Sequence, residues 1–258
     1  MRLMKRILSA AAVLALSASL LVGCSSVTAS SVPVSASSAA ESTVSSVEET
    51  ASSAVDENEA AAAQLLNDLT GSYQELWPVI LADEYKQTWL DDCTALVGED
   101  NAEAAFEKLS SMVTGDVYGE DAVKAYANGG GAYFCGFTNS LATLTFDGET
   151  STISGTDKDG NVLFSHTYHY IGMEPVHGLY EFESDDADSG EFTYFFLAPD
   201  TSAETYHIEF RYGSDAEALS QYDAGEYAYW VASGISTDCD QTMIDNCIEL
   251  FCTENLAG

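Results

Sequence analysis

The sequence predicts a mainly β domain, an antiparallel up-and-down barrel flanked by helices, and three observations carry that reading. Apolar residues recur with helical spacing before a triple glycine at Gly129, Gly130 and Gly131, and with strand spacing after it. Two Asp-Gly pairs, Asp147-Gly148 and Asp159-Gly160, sit between alternating apolar runs, which is the signal of a tight hairpin. About seven runs follow one another through short turns, and consecutive strands of that kind pair as a meander whose simplest way to hide its edges is closure.

The helical part comes first. Leu65, Leu66, Leu69, Tyr73, Leu76 and Trp77 form an apolar stripe that ends at Pro78. Glu84 to Val97 and Ala102 to Val113 continue the pattern, and Gly119 to Tyr126 adds a short helix. The expected strands are Tyr133 to Phe137, Ala142 to Phe146, Thr150 to Gly155, Val162 to Ile171, Gly178 to Glu183, Phe192 to Ala198 and Tyr206 to Tyr212. Ser214 or Asp215 can cap a helix running through Tyr222. Ser236 to Asp238 can cap a last helix, Gln241 to Phe251.

The first residues read as an address. Arg2, Lys5 and Arg6 precede an apolar run from Ile7 to Val22 that is too short and too rich in Ala and Ser for a membrane span of about 20 residues. The run ends Leu21-Val22-Gly23-Cys24, which resembles a bacterial lipobox, so residues 1–23 are expected to be a lipoprotein signal peptide and Cys24 the lipidated residue. Residues 24–58 are dominated by Ser, Ala, Thr, Val and Glu without an aromatic side chain, too little apolar surface to offset the entropy of ordering. They are expected to be a disordered tether, leaving 59–258 as one barrel domain on the outside of a bacterial membrane.

Charge narrows the partners. Lys and Arg total 8 against 42 Asp and Glu, a formal net charge of −34, and loss of the leader removes three of the cations. Nothing in such a surface neutralises phosphates, so nucleic acid is excluded. Besides Cys24 there are five cysteines, Cys93, Cys135, Cys239, Cys247 and Cys252, with no C-x-x-C pair. Most read as buried small apolar residues, with one disulfide open to the set. No Gly-x-Ser-x-Gly elbow, phosphate-binding glycine loop or His-Glu-x-x-His helix is present, and catalysis is not expected.

All four histidines, His166, His169, His177 and His207, lie in the β region. His166 and His169 are three apart and face opposite sides of a strand, whereas His207 and Glu209 share a face with Thr205 and Arg211. Imidazole and carboxylate are ordinary zinc ligands, so His207, one of His166 or His169, and Glu209 are a chemically reasonable metal set, with His169 the expected partner. The bland alternative is four histidines hydrogen-bonded in the core or at its rim. Asp157, Asp159 and Asn161 begin like a calcium loop but lack the Glu at its twelfth position, and hairpin tips explain them and the Asp185, Asp186, Asp188 turn.

The stretch Phe195 to Gly213, with Ala198-Pro199 and His207, is similar to the metal-site hairpin of the ZinT family, and Leu69, Gly71, Tyr73 and Pro78 resemble the opening of that family. The resemblance runs over roughly Gln64 to Leu256. It implies a lipocalin-like (calycin) barrel, a zinc ligand at His207, and a role in holding a divalent metal or passing it to a metal ABC transporter. Two usual histidine positions fall on Phe195 and Thr205, so the resemblance leaves room for a metal-free barrel that binds an organic ligand or a protein partner.

Overall fold

The structure, a computed structural model, describes residues 57–115, 117–198 and 207–257. Its centre is a closed barrel of eight antiparallel strands in sequential order: β1 (Gly71–Glu75), β2 (Thr143–Asp147), β3 (Thr152–Thr156), β4 (Val162–Met173), β5 (Tyr180–Ser184), β6 (Tyr194–Leu197), β7 (His207–Gly213) and β8 (Ala232–Ser236). β1 closes the ring by pairing with β2 on one side and β8 on the other, Tyr73 lying opposite both Leu144 and Ser236. The expected up-and-down barrel is therefore present, with no free sheet edge.

Alternation explains which side chains fill it. Leu144 and Phe146 on β2, Ile153 on β3, Phe164 and Tyr168 on β4 and Phe182 on β5 are buried in one core, while their neighbours in sequence are mostly less buried. Phe195 on β6 lies opposite Phe182 and Tyr212, and its ring centroid is 5.4 Å from that of Tyr212. Rings meeting at such distances pack the interior as a solid core in the manner of small barrels. The Tyr212 hydroxyl donates to Thr138 O at 3.0 Å and accepts from Thr138 N at 2.6 Å, which pins the preceding loop across the barrel end.

Both Asp-Gly hairpins form, joining β2 to β3 and β3 to β4. Asp157 accepts from the amides of Asp159 and Asn161 and from the Asn161 side chain, and these bonds hold its carboxyl below the usual range. The aspartate is thus used up by the turn. Gly148 has a second reason to be glycine: a Cβ there would fall 2.4 Å from Asn67 Cα, where the hairpin crosses the first helix.

Among the described residues seven α-helices accompany the barrel; residues of the first and sixth join the barrel core, and those of the second, third, fourth and seventh build a separate layer. The seven are α1 (57–68), α2 (Leu76–Ile80), α3 (Lys86–Val97), α4 (Glu99–Val113), α5 (Glu120–Ala127), α6 (Ala216–Leu219) and α7 (Gln241–Leu256). α3 and α4 turn back on each other at Gly98, whose φ of 83° suits glycine, and α7 lies against both. They enclose a second core around Trp89, to which the barrel contributes Ile235 from β8. Among the described residues no helix is long and apolar enough to cross a membrane.

Several expectations change. Gly71–Glu75 belongs to a strand, not to the helix ending at Pro78, because Gly71 at φ 142° breaks the helix and Tyr73 turns into the barrel. Tyr133–Phe137 makes only isolated bridges through Phe134, to Thr114 and Trp230, and does not enter the barrel. The strand that does is Ala232–Ser236, rich in Gly and Ser and lying between the two expected C-terminal helices, where no strand was expected. The helix after β7 stops at Leu219, capped by Asp215 as expected, and the last helix is capped by Asp240 and not by residues 236–238. The expected leader, Cys24 and nearly all of the tether lie outside the described residues.

Candidate metal site on the outer face of β7

Strand β7 reads HIEFRYG, and alternation splits it cleanly. Ile208, Phe210 and Tyr212 enter the barrel core, so His207, Glu209 and Arg211 face outward. His207 lies opposite Ile235, which belongs to the helical core, and Glu209 lies opposite Ser233. The face is thus roofed by helices, and six of the seven β7 residues are buried, His207 alone being partly exposed.

His207 and Glu209 line one cleft with Trp77 of α2 and with Cys247, Phe251 and Glu254 of α7. Its volume is 20 Å³, enough for a water-sized occupant and too small for an organic ligand. Two carboxylates converge there on an otherwise apolar wall. Their field is visible in the neighbours: burial, followed by the charge of Glu209, pushes the Cys247 thiol up to about 12. Burial and then Glu209 likewise raise Cys135. Without a metal Cys247 is therefore a neutral thiol at physiological pH, and the cleft lining carries one imidazole, two carboxylates and this thiol.

The expected third ligand is elsewhere. His169 lies opposite Glu183, which lies opposite Tyr194, which lies opposite Gly213. His207 is six residues back along β7, about 20 Å at strand rise, and three strands away. His169 is half exposed with its Nδ1 2.7 Å from Asp185. The set of His207, His169 and Glu209 does not converge. Among the described residues no three His, Cys, Asp or Glu side chains are grouped to hold a metal ion.

The remaining histidines have acidic partners too. His166 Nδ1 is 2.7 Å from Asp186 and its ring stacks on Phe164. His177 is buried, 3.3 Å from Glu174 and against the Tyr222 ring. Phe195 faces the barrel core whereas His207 faces the helices, so a histidine at 195 would not reach His207's side of the sheet. Thr205 lies outside the described residues. Sequence reasoning missed Glu254 and Trp77, which reach the cleft from helices that carry no spacing relation to β7.

A closed eight-stranded antiparallel barrel with a helical layer is a calycin-like fold. No family model matches the chain, and no curated protein does. Among solved structures it is similar to the Zn(II)-bound ZinT-like domain of Streptococcus pneumoniae AdcA, at 15% identity over 71% of this chain and 89% of that one, with a TM-score of 0.45. It is also similar to Zn(II)-bound AdcA from the same organism, at 14% identity over 72% of this chain, with a TM-score of 0.43. The match spans 35% of the length of that second protein.

Proposed function

We propose that this chain is a lipid-anchored extracytoplasmic protein that binds a divalent transition metal, zinc by preference, to sequester it or pass it to an uptake system, without catalysis. One observation carries the metal reading: His207 and the buried Glu209 project from one strand face into a cleft of single-ion size that also takes Glu254. Nitrogen and oxygen donors of this kind suit zinc. His207 and Glu209 would hold the ion, and Glu254 lines the same cleft. A site with one imidazole binds more weakly than a site with three.

Saturable zinc binding with one site per chain is expected by titration calorimetry of the purified chain, and it should strengthen with pH as imidazole protons leave. His207→Ala should weaken it by about tenfold or more, since even outer-shell partners of a ligand are worth that much. His169→Ala should leave it unchanged, and both variants should keep the wild-type circular dichroism. Absence of saturable binding in the wild type, or equal binding by His207→Ala, would sink the site.

The absence of any three-donor group among the described residues favours a second reading, a metal-free barrel. The aromatic filling of the interior then directs attention to a protein partner on the outer surface and away from an organic ligand inside. The same titration separates the two.

A further inference from the structure

Among the described residues, Cys93 on α3 and Cys252 on α7 are the cysteines whose sulfurs meet. Their Sγ atoms are 4.0 Å apart, both residues are fully buried, and 159 positions separate them in sequence. Neither belongs to the metal cleft. Cys247, on the same helix as Cys252, is five residues away and so about 140° around the axis, which rules it out as the alternative partner for Cys252. Cys135 is buried between the barrel and the helical layer, and Cys239 precedes α7.

We infer that Cys93 and Cys252 form a disulfide on exposure to a small organic disulfide, cross-linking α3 to α7. The step is ordinary exchange. The Cys252 thiolate attacks one sulfur of oxidised glutathione and expels a glutathione thiolate. The Cys93 thiolate then attacks the Cys252 sulfur and expels the second. The two protein thiols lose two electrons and two protons, and the glutathione disulfide takes up both to become two thiols. Closing the pair from 4.0 Å to a bond of about 2.05 Å needs side-chain rotation and a small approach of two helices already in contact.

Burial governs when this happens. Desolvation raises both thiols above the ordinary cysteine value, so in the packed protein neither is a ready nucleophile. Cys252 sits one turn from the C-terminal end of α7, and helix ends fray before helix middles. Exchange is therefore slow in the folded chain and fast while α7 is undocked during folding.

The test refolds the full chain with and without oxidised glutathione, alkylates free thiols under denaturing conditions, and maps peptides without reductant. The expected product is one peptide pair joined through Cys93 and Cys252, lighter by two hydrogens than the reduced pair. Its melting temperature should exceed that of the reduced chain by roughly 5–15 °C. Cys93→Ala should lack both the cross-link and the shift. Recovery of Cys93 and Cys252 fully alkylated from the oxidised chain, or of Cys252 joined to a different cysteine, would overturn the inference.

Discussion

Arg211→Met is expected to destabilise the chain by about 3–5 kcal/mol, because it leaves two buried backbone carbonyls without their donor and removes the cation from the Tyr222 ring. Arg211 is fully buried on the outer face of β7. Its guanidinium donates to the carbonyls of Leu219 and Tyr227 and lies 4.1 Å from the centroid of Tyr222. Burial lowers its pKa, and Tyr222 and then Glu174 act in the opposite direction. One side chain therefore fixes α6 and the loop after it to the barrel. Methionine keeps much of the volume, so the loss reports charge and hydrogen bonds and not a cavity. Arg211→Lys should fall between, since an ammonium cannot reproduce the planar fork. Denaturant unfolding decides it, and a methionine variant within about 1 kcal/mol of wild type would show that the cluster contributes little.

Glu174 gives this cluster a direction in pH. Burial pushes its carboxyl up, but bonds from His177 and from the amides of His177 and Val176, with the His177 charge, outweigh burial and hold it below the usual range. A carboxyl lowered on folding stabilises the protein above its unfolded pKa of about 4.3, and that contribution disappears as pH falls through the folded value. Arg211, His177 and Glu181 are the other charged groups whose fields meet there. Melting temperature should drop below about pH 4, and Glu174→Gln should show a shallower drop over that range while being less stable at neutral pH. Parallel profiles for the two proteins would remove Glu174 from the account.

Much of the barrel was legible because period-two alternation and Asp-Gly turns are local signals. β2 to β7 appear close to their expected bounds. β1 and β8 were not legible, because ring closure is a long-range event: Tyr73 fits a helical stripe as well as a strand, and ASGIS has no alternation to read. The site divided in the same way. His207 and Glu209 share a face by parity alone, which sequence can show. The roof over them, Trp77, Cys247, Phe251 and Glu254, comes from helices far away in sequence, and the distance from His207 to His169 depends on a register carried through three strand pairs.

Trp89→Ala is expected to destabilise by about 3–5 kcal/mol and to do so in a single transition. Trp89 is fully buried at the centre of the helical layer; its Nε1–H donates to Ile80 O at 2.7 Å, and its ring meets Phe106 and Phe251 at 5.7 and 6.0 Å. Removing it therefore takes away contacts among α2, α3, α4 and α7 together. Two of those helices, α2 and α7, supply the non-β walls of the cleft over His207 and Glu209. The barrel and the layer hold separate apolar clusters, yet Ile235 of β8 is packed into the layer, and β1 runs directly into α2. A loosened layer would expose the outer face of β7 and β8, and the barrel would lose that cover at the same time. Helical and aromatic circular dichroism should accordingly change at one lowered midpoint, and zinc binding should weaken although no donor has been altered. Two separated transitions, with the aromatic signal unmoved, would show that the layer unfolds on its own and that the barrel holds its outer face without it.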